Sequence, residues 1–214
     1  MSQLEYLIAL VSIIVGLALA DLAGSFRELV RPRRTVRWHW LPLIWAGIVL
    51  LILVQVWWTS FGVLQEAVFG EAVAFLPYLM VFLVLYLACA FALPDPDCRP
   101  KCAPELQSTG DRSALPEDAL DMKAFYFSAT HRRWFFGALI VLLVLGQVIS
   151  IVSSVFLGNG AAAEVAITAT TNLTAAGLLG ALIATNREWV HAAITLLVLG
   201  ATALIFVTGL PTLG

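Results

Sequence analysis

Charge is scarce in this sequence. Only 12% of its 214 residues are Asp, Glu, Lys or Arg, while 61% are hydrophobic and the mean hydropathy is +0.93. A water-soluble domain carries about 25% charged and about 45–50% apolar residues. A soluble core of this size cannot hide so much apolar surface, so lipid is the expected solvent for most of the chain. Cysteine is also sparse: Cys89, Cys98 and Cys102 form an odd set, which implies no disulfide framework. Cys98 and Cys102 make a CxxxC pair, but a structural zinc site needs two further ligands and none stands nearby. There is no HExxH, no GxSxG and no phosphate-binding glycine loop. His39, His131 and His191 all lie beside arginine-bearing connections, so a buried haem or metal has no paired ligand at depth, and His191 reads as an interfacial residue. With no nucleophile, base and metal constellation, neither an enzyme nor a cofactor is expected.

What the chain does have is long apolar runs. A transmembrane helix needs about 20 predominantly apolar residues, and six segments supply them, at roughly 4–25, 39–64, 73–94, 134–157, 163–185 and 189–210. The expected fold is therefore all-α, a bundle of six transmembrane helices forming a single transmembrane domain over residues 1–214. The first segment opens with an acid, Glu5, where a signal peptide has a basic region, and its apolar stretch is long, so it reads as a retained helix.

The few charges are strongly segregated. All twelve Lys and Arg fall in the first, third and fifth connections: Arg27 to Arg37, then Arg99 to Arg133, then Arg187. The second and fourth connections carry only Glu66, Glu71 and Glu164. Because basic residues are retained in the cytoplasm, both termini are expected on the periplasmic or extracellular side. Ten of the twelve basic residues are Arg, a usage typical of GC-rich bacterial genomes, so a bacterial inner membrane is the expected location. Trp38, Trp40, Trp134 and Trp189 fall at the expected cytoplasmic interface, where amphipathic rings prefer to sit.

The one sizeable polar segment is the cytoplasmic connection 95–133. Its first part is rich in Pro and small polar residues and reads as irregular chain. Further on, Ser113, Pro116, Glu117 and Asp118 are helix-start residues, and Leu120, Met122, Phe125, Tyr126 and Phe127 supply an apolar face. The pattern predicts a short amphipathic helix over about 115–128, either lying on the membrane surface or packed under the bundle. The connection is too short for a separate domain, and its mixed charges offer no patch for nucleic acid.

Polar groups at depth are where function shows in a membrane bundle. Asp21 is the one carboxylate clearly inside a span, and pairing with the nearby arginines is its expected state. Three polar stripes rise toward the outer face at helical spacing. Gln55, Thr59 and Glu66 lie on the second helix; Gln147, Ser150 and Ser154 on the fourth; Glu164, Thr168 and Asn172 on the fifth. Gln55, Gln147 and Asn172 share the midplane. Two readings follow. In one, the stripes line an outward-opening polar crevice for permeation or transport of a small solute or ion. In the other, they are interhelical glue in a non-catalytic accessory subunit of a larger membrane complex. Either implies lipid plus a homo-oligomer or membrane complex as partners. No discontinuous helix is visible at the midplane, which weakens a transporter reading. Two rows of small residues, Ser12, Gly16, Ala20 and Gly24, and Ala176, Gly180 and Ala184, permit close helix contact within the chain or between copies.

Overall fold

The computed structural model describes residues 3–31, 36–64, 72–94, 120–157 and 162–209. Helix makes up 91% of them. Six helices are long and apolar enough to cross a membrane: α1 (Gln3–Val30), α2 (Trp40–Val63), α3 (Ala72–Ala92), α5 (Ala129–Leu157), α6 (Ala162–Ala184) and α7 (Glu188–Gly209). A seventh, α4 (Met122–Phe127), is a six-residue turn before α5, and the two-residue strands β1 (Val36–Arg37) and β2 (Leu120–Asp121) pair in parallel. The chain is a multi-pass membrane protein. Its outward faces confirm the solvent: Ile13, Leu173, Leu204 and Val207 are each more than 60% exposed, an arrangement that only lipid or other helices satisfy.

Helix boundaries follow local chemistry. His39 caps α2 by accepting the Leu41 N–H on Nδ1 at 3.4 Å, and Pro42 sits in the first turn, where its missing N–H is harmless. Asp121 caps α4, its Oδ1 accepting from the backbone N–H of Lys123 (2.8 Å) and Ala124 (3.2 Å). Ser128 then adopts extended backbone and ends α4, while its Oγ accepts the His131 N–H at 3.2 Å and starts α5. One serine thus separates two helices that composition alone would run together.

Of the expected helix over about 115–128, Met122–Phe127 is helical and Leu120–Asp121 is not. Residues 115–119, with Pro116, Glu117 and Asp118, lie outside the described residues, as do Ser113, Cys98 and Cys102. From Leu120 the chain is first a strand, because pairing with Val36 and Arg37 satisfies its backbone, and only then a helix. That helix is packed under the bundle: Met122 and Tyr126 are completely buried against α5 and α2.

α3 is the centre of the bundle, packing on α1, α5 and α2; α2 also carries α7, and α6 is held chiefly through α5. The most apolar stretches of α2 and α3 are accordingly 39% buried and that of α6 only 11%. Toward the arginine-rich end Trp45 meets Phe135 and Phe136 edge-on at 5.7 and 5.1 Å. Tyr78 and Phe82 line the buried face of α3.

Candidate functional site

The polar stripes come first. Asn172 on α6 donates from Nδ2 to Gln147 Oε1 on α5 at 3.0 Å, so two of the three midplane amides join across one helix seam. Gln55 does not join them. It lies on α2, whose main neighbours are α7, α3 and α1, and its side chain makes no hydrogen bond to either amide. Equal depth along three helices does not make those helices adjacent at that depth. The Gln147 Nε2 group is buried and has no partner among the described residues.

Two of the four stripe hydroxyls, and three threonines beside the stripe on α6, turn back onto their own helices. Thr59 donates to the carbonyls of Gln55 and Val56 (3.0 and 3.1 Å), and Ser154 to that of Ile151 (2.8 Å). On α6, Thr170, Thr171 and Thr174 do the same at 2.8–2.9 Å. These groups are exposed yet satisfied, and they need no water. Ser150 and Thr168 are half-buried; Glu66 and the Glu164 side chain lie outside the described residues.

Asp21 departs from the expected pairing. Arg27 turns to Glu28 at 3.2 Å, and Arg31 to the same carboxylate at 2.9 Å. Asp21 is exposed and forms no ion pair among the described residues, nine residues before the end of α1, or about 14 Å at 1.5 Å per residue. Beside it the row Gly16, Ala20, Gly24 runs along the surface of α1. A Cβ placed on either glycine meets nothing within 4 Å, so none of the described residues uses the space.

A third polar cluster was not foreseen, and it is completely buried. Trp45 (α2) donates from Nε1 to the Tyr126 hydroxyl (3.1 Å) and to Thr195 Oγ1 on α7 (3.0 Å). Tyr126 (α4) donates in turn to His191 Nδ1 at 3.0 Å, and His191 Nε2 donates to the Thr185 carbonyl at 2.9 Å. A carbonyl only accepts, so the ring proton is on Nε2 and the direction of the whole relay is set. His191, on α7, is thus fully buried rather than interfacial: Tyr126 and Phe127 of α4 pack over its ring. Burial pushes the Tyr126 hydroxyl up to about 12, with hydrogen bonds from Trp45 and Thr195 and the positive Arg132 pulling the other way. Arg132, itself buried, donates to the carbonyls of Thr185 and Leu182 and so caps the negative end of α6. Because the relay ends on a backbone carbonyl it passes no proton onward; it ties α4 to α2 and α7. The sequence signal for it was Trp45, an indole N–H deep in an apolar helix that has to find an acceptor.

At the first residue of α7, Glu188 joins this end of the bundle from two sides, accepting from Lys123 Nζ at 2.5 Å and meeting His39 Nε2 at 3.3 Å. Among the described residues no three His, Cys, Asp or Glu side chains stand together as a metal site.

Fold and polar groups together define a helical, multi-pass membrane protein with one amide-bonded seam, one acid in a span that makes no ion pair among the described residues, and one locked end. Comparison with family models, with curated proteins and with solved structures returns no match for this chain.

Proposed function

We propose that this chain is a non-catalytic membrane subunit that assembles, through α1, with further copies of itself or with the transmembrane helices of a larger complex. Asp21 carries the proposal. An unpaired carboxylate on the lipid-facing surface of a span is costly and asks for a donor or cation at the same depth. Among the described residues none makes an ion pair with it, yet beside the acid the chain offers an open row of small residues, the surface on which a second helix packs closely. The back-bonded hydroxyls and the Gln147–Asn172 bond belong to the same reading, as interhelical glue. Placing the arginine-rich end in the cytoplasm puts both termini outside, and a bacterial inner membrane is the proposed location.

The test is the stoichiometry of the purified chain. Wild type should run as an oligomer or with a co-purifying membrane protein, and Gly16→Leu or Asp21→Leu should release a folded monomer. A monomeric wild type with no companion overturns the proposal.

One observation favours permeation instead. The Gln147 Nε2 group is an unmatched donor at the midplane, suited to a small solute. On that reading, liposomes holding the chain alone pass a solute, and Gln147→Leu or Asn172→Leu stops the flux.

A further inference from the structure

Between α1 and α2, at the arginine-rich end, lies an apolar groove of about 500 Å³, open along one side. Its floor is Leu22, Ala46 and Leu93, and its rims are Leu19, Phe26 and Leu50, which stay exposed. Gly47 deepens it. A Cβ there meets nothing within 4 Å, and a helical glycine is less stable than alanine, so packing against the described residues gives this glycine no role.

We propose that the groove holds an acyl chain of an anionic phospholipid whose phosphate sits among Arg27, Arg31 and Arg37. Size and length point to a lipid tail. The volume is roughly three times the ~150 Å³ that accommodates a benzene ring. The lining spans residues 19–26 of α1 and 43–50 of α2, about 10 Å along each helix axis. That is a third of a ~30 Å hydrocarbon core, which suits the chain of one leaflet and is too short for a crossing helix. Charge identifies the headgroup. The connection joining these two helices is the one with five arginines. Of the three described, Arg27 and Arg31 share the single carboxylate of Glu28, and Arg37 reaches Asp121 only at 3.9 Å, so three guanidinium groups face two carboxylates. Basic positions at the mouth of a cleft between membrane helices are what anionic headgroups recognise.

The test uses the full chain in bilayers of phosphatidylglycerol or phosphatidylcholine with identical acyl chains. Native mass spectrometry of wild type should show one retained phosphatidylglycerol, favoured over phosphatidylcholine by about fivefold or more, the effect of a surplus surface charge. Gly47→Leu, which fills the groove, should abolish retention of both lipids. Replacing Arg27, Arg31 and Arg37 by Gln should remove only the preference. Should Gly47→Leu fail to fold, photo-crosslinking of wild type with a diazirine-tailed phosphatidylglycerol decides the matter. Label on Leu22, Gly47 and Leu50 should exceed that on Ile13 and Leu204, which are more exposed to lipid. Uniform labelling, equal retention of the two lipids, or a Gly47→Leu protein that keeps its lipid overturns the proposal. So does a Gly47→Leu protein whose only change is loss of a bound helix or second copy.

Discussion

Tyr126 is the residue on which the locked end turns, because its hydroxyl accepts from Trp45 and donates to His191. Tyr126→Phe leaves the buried His191 Nδ1 without a donor while Trp45 keeps Thr195, so stability should fall by about 1–3 kcal/mol in thermal or denaturant unfolding. The same residue sets an alkaline limit. A hydroxyl held at about 12 in the folded chain, against an ordinary value near 10, stabilises fully below pH ~10. That stabilisation is lost as pH rises from there through 12. Wild type should therefore lose stability across this window, and Tyr126→Phe should remove that component of the slope. Gln147 and Asn172 make a separate, pairwise contribution. Either change to Leu should cost about 0.6–2 kcal/mol, and the double variant little more than one alone, as read by a double-mutant cycle.

At the scale of elements, α4 is the unusual piece. Six residues make a marginal helix in isolation. It stands here because Asp121 caps it, Ser128 ends it, the β1–β2 pair holds its entry, and Met122 and Tyr126 reach into the core. Glu188 adds an outer latch to Lys123 and His39. Glu188→Gln should speed hydrogen exchange in residues 122–127 while leaving α5 unchanged, and high salt should do the same to wild type, since exposed ion pairs are screened. Exchange at α4 that responds to neither places all of its hold in the buried contacts.

At the scale of the whole molecule, segregated charge predicts orientation. Trypsin should cut the 95–133 connection, which carries Arg99, Lys101 and Arg112, only in inverted vesicles. Cleavage confined to right-side-out vesicles reverses the topology. Orientation and the proposed assembly are independent, since one depends on connections and the other would depend on the open face of α1.

Six spans, their approximate limits and the segregation of charge were legible in the sequence because hydropathy and the positions of Lys and Arg are local properties. So was the amide at position 172 as a bonding group, because a polar side chain at that depth has to find a partner. Local pattern could not say which partner. Gln55, Gln147 and Asn172 lie at similar depths, but only the packing of α6 on α5 made a pair of two and left the third aside. Asp21 and Arg27 sit close enough in sequence to suggest pairing, yet Glu28, one residue from Arg27, took the cation. His191 read as interfacial because nothing in its own helix says that α4 folds back over it. The sequence by itself determined that the chain belongs in lipid and how often it crosses. Only the tertiary structure decided which polar groups meet, because hydrogen bonds depend on which helices neighbour one another, and lipid-facing hydropathy is nearly the same for any such arrangement.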